Sequence, residues 1–260
     1  MKLFIALLIA SLLLNLLLIS CNQTTSSSEA ENTDSTFTIP FPEKYTGLYF
    51  TETYVNELLS SRSPRKAQNL AYFSGLIFYT RNDSAFVNMD FNHHEGGWEI
   101  PVLMTEKSAG YALNLTENSP DFKIQFNEDG SVWIDDDEWK GKMIKVQEKP
   151  ELNLIDESVN HILFPRAFHF NDEIIRFHEN GELSGIDSLA SYYVYLDYFG
   201  PGMNLDMIEF SNKYDANLTY TYGFEFTDSR LQLFELQCIE LDFDLCLEHT
   251  KGNIILELKY

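Results

Sequence analysis

Positive charge is what this chain has least of. Its 18 Lys and Arg stand against 40 Asp and Glu, a formal net charge of −22 at pH 7. A surface this acidic is repelled by phosphate backbones and anionic headgroups, so nucleic acid is not expected as a partner. Cysteine is nearly as scarce, with 3 residues. Around Cys238 and Cys246 the sequence does not assemble the four closely spaced Cys and His ligands of a zinc site, so no metal site is expected. The chain also lacks a Gly-x-Ser-x-Gly elbow, a phosphate-binding loop and a dinucleotide fingerprint, and no cofactor is implied. Aromatic residues, by contrast, make up 14% of the chain and hydrophobic residues 44%, enough to build a core.

The long apolar run lies at the N-terminus. Met1-Lys2 gives a positive start, and Leu3 to Ile19 is apolar apart from Ser11 and Asn15. This is the layout of a secretory signal, at the bottom of the length a bilayer span needs. Leu18-Ile19-Ser20-Cys21 closes it. The segment resembles the lipobox of bacterial lipoprotein precursors, which implies cleavage after Ser20 and lipidation of Cys21. Several acyl chains on one cysteine give stable membrane anchoring. The resemblance assigns residues 1–20 to a signal peptide, and Asn22 after the cysteine favours sorting to the outer membrane of the cell envelope. Residues 21–40 comprise Cys21 and a polar stretch rich in Ser, Thr, Glu and Asn, too apolar-poor to offset chain entropy, and are expected to form a flexible tether.

Residues 41–260 read as one β domain, with a two-half organisation and a boundary near 150–165 as an option. In "LTYTYGFEF", Leu218, Tyr220, Tyr222, Phe224 and Phe226 alternate with Thr219, Thr221, Gly223 and Glu225. That period of two marks a half-buried strand. Similar runs begin at Gly47, Leu76, Ala85, Tyr111, Phe122, Val132, Met143, Ile174, Tyr192, Met207, Leu231 and Asn253. "IQFNEDGSV" and "IRFHENGEL", 51 residues apart, share Asp-Gly or Asn-Gly hairpin chemistry. Helical spacing is confined to Tyr54, Val55, Leu58 and Leu59, to a short turn opened by Ser63-Pro64, and to a turn around Asp156 to His161. The expected fold class is therefore all-β, mostly antiparallel, with one or two short helices.

Gly47-Leu48-Tyr49 opening the first strand, an early helix and a series of hairpins together resemble a lipocalin-type arrangement. That likeness favours a barrel and implies a cup for a small apolar ligand, although tyrosine stands where lipocalins carry tryptophan. A β-sandwich or two small β domains are the alternatives. The aromatic stretch "SYYVYLDYF" and the strand after Leu218 supply candidate ligand-lining residues Tyr192, Val194, Tyr198, Tyr220, Tyr222 and Phe224, against a reading of plain core packing. Cys238 and Cys246, eight apart in an exported chain, suit a disulfide across a hairpin, against a pair of buried thiols.

Other constellations fail on their own chemistry. An EF-hand register placing Gly130 sixth puts Gln125 where an acid is required, so Asp135 to Glu138 read as a solvated acidic turn. His93-His94-Glu95 lacks the second histidine of His-Glu-x-x-His. Ser63-x-x-Lys66 has neither of the motifs that accompany it in β-lactamases, and reads as a helix start. The expected function is a membrane-anchored, non-enzymatic module binding a small apolar ligand or an envelope protein. The alternatives are a carboxylate-dependent hydrolase of envelope glycan or lipid, and a structural component of a surface complex.

Overall fold

The computed structural model describes residues 41–71, 73–92, 96–107, 110–114, 123–135, 139–149 and 154–260. The segment that resembles a lipobox, with Cys21, the expected tether, His93-His94-Glu95 and residues 136–138 of the expected acidic turn lie outside them.

Alternation in the first half produces an eight-stranded antiparallel sheet closed into a barrel. Its strands follow in chain order: β1 (Gly47–Thr51), β2 (Gly75–Arg81), β3 (Ser84–Asn92), β4 (Gly96–Lys107), β5 (Gly110–Asn114), β6 (Lys123–Phe126), β7 (Val132–Asp135) and β8 (Lys140–Gln147). Each pairs with the next, and β1 closes on β8 with Phe50 opposite Ile144 and Thr51 opposite Met143. Gly47 sits at this seam with φ +129°, where a Cβ would run into the carbonyl of Gln147. Only glycine fits there. Among the described residues, Tyr49, Leu76, Phe78, Val87, Met89, Ile124, Phe126, Val132, Ile134 and Met143 form one buried cluster inside the barrel. Tyr45, Phe126 and Phe78 make tilted and edge-on ring contacts there, at centroid distances of 4.5 Å and 5.1 Å.

β1 and β2 are buried on both faces because a second apolar cluster covers them from outside. That cover begins with α1 (Glu52–Ser61), which follows β1 directly. Tyr54, Val55 and Leu58 recur at helical spacing and are buried against Leu48, Phe50 and Ile77. Thr51 occupies the N-cap position of α1, but its hydroxyl faces the Met143 sulfur and makes no capping bond. The following turn α2 (Pro64–Ala67) is capped: Ser63 Oγ accepts from the Lys66 N–H, with proline at the first helical position.

α3 (Leu154–Leu163) leads into the second half. Here β9 (Phe168–Phe170), β10 (Glu173–Phe177), β11 (Leu183–Ser184), β12 (Leu189–Val194), β13 (Met207–Asn212), β14 (Thr219–Thr227), β15 (Arg230–Asp242) and β16 (Leu245–Lys259) form a second antiparallel sheet. Its order is β11-β10-β9-β16-β15-β14-β13-β12. The edges curl toward each other until Glu182 bridges Ser191 and the Tyr192 N–H donates to the Gly181 carbonyl at 2.8 Å. The sheet is thus a half-barrel held nearly closed by a short seam. Its concave face contributes Phe177, Tyr192, Val194, Ile208, Phe210, Phe224, Leu231 and Leu258 to the cluster that also holds Leu48, Phe50 and Leu58. One continuous core therefore joins the two sheets.

The repeated hairpin signal folds the same way twice. In the first turn the Asn127 N–H donates to Ser131 O, and the Gly130 N–H to Asn127 O. In the second, His178 and Gly181 donate to Glu182 O and His178 O. Both glycines have φ +83°, and both turns are tied by a side-chain oxygen, Asp129 or Asn180, accepting from an N–H two residues on. Identical turn chemistry accounts for the likeness of the two segments.

Candidate ligand-binding face

Strand register decides which side chains share a face. Tyr222 lies opposite Ile208, and Ile208 opposite Val194. Tyr220 lies opposite Phe210, and Phe210 opposite Tyr192. Phe224 lies opposite Leu233. Of the residues singled out from the sequence, Tyr192, Val194, Tyr220, Tyr222 and Phe224 thus stand on the concave face of the half-barrel. The aromatic strand is shorter than its alternation predicts, because β12 ends at Val194 and Tyr198 sits in the loop beyond it.

These residues do different work. Tyr192, Val194 and Phe224 are buried in the shared core, and Tyr198 is buried outside that cluster. The Tyr192 hydroxyl donates to the His178 carbonyl at 2.7 Å, tying β12 to the turn before β11. The Tyr198 hydroxyl donates to Asp206 Oδ1 at 3.1 Å. Tyr220 and Tyr222 are half-buried and border a concavity of about 370 Å³ with Phe177, Leu189, Phe210 and Leu256. Burial, then the neighbouring Tyr220 and Glu235, push the Tyr222 phenol upward, so it stays a neutral hydroxyl. Phe177, Phe210, Leu189 and Leu256 were not recognisable as lining from the sequence. Their alternation marks them as inward-facing, but only the cross-strand register brings them around the two tyrosines.

A second depression is polar and open. Glu157 and His161 on α3 face the turn carrying His178, Glu179 and Glu182 across a cleft of about 430 Å³. Past Glu157 and Glu179 it continues into a groove of about 450 Å³ beside Lys145 to Lys149. His161 Nδ1 lies 3.1 Å from Glu179 Oε2, and His178 Nε2 lies 3.1 Å from Ser184 Oγ. Both pairs are exposed. Among the described residues, no group of three or more His, Cys, Asp or Glu side chains could hold a metal ion.

Ser63, the serine of Ser-x-x-Lys, is buried and donates to Asp206 Oδ2 at 2.5 Å. Asp206 Oδ1 also accepts from the Arg65 N–H at 2.9 Å. The serine therefore joins α2 to the loop before β13, and its hydroxyl is engaged in structure. Cys238 and Cys246 are joined by a disulfide in the β15–β16 hairpin, with Cα atoms 5.7 Å apart. Among the described residues no helix is long and apolar enough to cross a membrane. Comparison with protein families, with curated proteins and with solved structures finds no match to this chain.

Proposed function

We propose that this chain is a lipid-anchored lipoprotein of the cell envelope, held in the outer membrane through Cys21, whose domain is a non-catalytic binding module. Its ligand is a small, largely apolar molecule seated on the concave face of the half-barrel. The observation that carries this reading is the concavity bordered by Phe177, Phe210, Tyr220, Tyr222 and Leu256. Apolar walls with a few hydroxyls are the usual make-up of small-molecule sites, and about 370 Å³ falls within their ordinary size range. Tyrosine adds ring area and one polar handle per side chain. Inside the first barrel the described aromatic and aliphatic side chains pack against one another in a buried cluster.

The test is native mass spectrometry of the full lipoprotein in lipid nanodiscs, before and after denaturation. A releasable small apolar molecule is expected. Its occupancy should fall when Tyr222 is changed to Ala, with affinity about tenfold weaker, equivalent to ~1.4 kcal/mol. A clean unliganded mass together with hydrolysis of an envelope glycan or lipid would replace this reading with the enzymatic one. The feature favouring that rival is the open cleft lined by Glu157, Glu179 and Glu182. Hydrolysis abolished by Glu157→Gln or Glu179→Gln would locate it.

A further inference from the structure

β15 and β16 run for 13 and 15 residues, well past the rest of their sheet. β14 pairs with β15 only over Arg230 to Phe234, whereas the β15–β16 ladder continues to Asp242 and Leu245. The outer part is therefore a two-stranded arm. It is braced at its middle: the Gly202 N–H donates to Leu247 O at 2.7 Å, and Asn204 exchanges hydrogen bonds with the backbone of His249. Near its end the Cys238–Cys246 disulfide ties the strands together.

The tip is built against local preference. Phe243 and Asp244 form the turn with φ +45° and +70°. Two-residue hairpins with both central residues left-handed favour Asn-Gly, and a bulky side chain there is strained. Phe243 returns nothing to the fold in exchange, since it is 98% exposed. Leu241, Ile239 and Leu245 around it are 69%, 59% and 53% exposed. Between them stand Glu240, Asp242 and Asp244, and Glu248 follows. An outlier of this kind points toward use in recognition.

We propose that the stapled arm is a docking finger whose occupant is a protein with an apolar pocket rimmed by Lys or Arg. Phe243 is the anchor and the interleaved carboxylates meet the basic rim. Charge decides among possible occupants. A bilayer would have to take in carboxylates beside the anchor, and an anionic surface would repel them. A second copy brings its own net charge of −22 to the same contact. A basic rim reverses both penalties and steers approach, while an aromatic side chain entering a pocket is the usual energetic centre of such an interface.

The experiment places a photoreactive phenylalanine at position 243 of the full-length lipoprotein in its native envelope, with the same group at exposed Tyr214 as the control position. The expected result is one protein adduct specific to position 243. Its cross-linked peptide maps to an apolar pocket beside Lys or Arg, and its yield drops at least about tenfold in high salt or when Glu240, Asp242 and Asp244 become Gln, Asn and Asn. The double change Phe243→Asn with Asp244→Gly installs the favoured turn. It should preserve or raise thermal stability while weakening capture of the identified partner by about thirtyfold or more. Adducts only to lipid or to a second copy, no adduct above the Tyr214 control, a salt-insensitive adduct, or unchanged partner capture by the Asn-Gly variant would each overturn the proposal.

Discussion

Asp206 shows how one side chain couples local and distant structure. Its carboxylate receives Ser63 Oγ, the Arg65 N–H and the Tyr198 hydroxyl, so it joins the turn after α1 to the loop before β13. Burial raises its pKa above the ordinary carboxylate value, and the three hydrogen bonds only partly counter that. The folded state thus holds the Asp206 proton more tightly than the unfolded chain. Its contribution to stability falls as pH rises from the ordinary value toward the raised one, then levels off. Asp206→Asn should remove that fall. Urea unfolding of both proteins from about pH 4 to about pH 7 checks it, the wild-type advantage over the variant shrinking as pH rises. A growing advantage would mean that the three donors outweigh burial. Ser63→Ala should cost about 1–2 kcal/mol, since it removes the α2 cap and a donor to a half-buried carboxylate. The cap was legible in the sequence as Ser-Pro before a helical turn. The carboxylate it meets was not, because Asp206 lies 143 residues further along the chain.

At the scale of elements, the two glycine turns invite a paired measurement. Gly130 and Gly181 have the same φ of +83°, so alanine at either position must enter the left-handed region at a cost of about 1–2 kcal/mol. Space then separates them. A Cβ on Gly130 meets nothing within 4 Å, whereas one on Gly181 lies 3.1 Å from the Tyr192 carbonyl. Gly181→Ala should therefore be the more destabilising, and chemical denaturation of the two variants ranks them. For the β15–β16 arm, Cys238→Ser with Cys246→Ser opens a short loop whose closure entropy is worth about 2–3 kcal/mol. The arm shares little of the core, so the loss should appear as faster amide exchange from Leu236 to Lys251, with less change in β1 and β2. Most strands were visible as period-two alternation, and the Asp-Gly and Asn-Gly turns as hairpins. β4 is absent from the alternating runs for a physical reason: it opens on Gly96-Gly97 and carries Pro101, residues that ordinarily interrupt a strand, yet Pro101 is accommodated opposite Phe86.

Over the whole molecule, the cluster shared by both sheets governs cooperativity. Leu58 on α1 is fully buried between the outer face of the barrel and the half-barrel residues. Leu58→Ala should cost about 2–5 kcal/mol, and the loss should reach both sheets. Trp98, Trp133 and Trp139 all belong to the barrel half, so their fluorescence reports that half alone. Amide exchange of β12 to β15 reports the other. The two signals should shift together in the Leu58→Ala variant, and a shift confined to one would mean the halves unfold independently. The fold class and the approximate position of most strands were determined by the sequence alone, because alternation of apolar and polar residues acts between near neighbours and needs no partner strand. Turn positions followed as well, since left-handed φ is a local demand met by glycine. Only the tertiary structure decided that the strands of the described residues divide into a barrel and a half-barrel, and that Tyr220 and Tyr222 border a concavity while Tyr192 and Phe224 are core. Those outcomes depend on cross-strand register and on which face α1 covers. Both are contacts between residues far apart in the chain, whose energies are realised only once the sheets have closed.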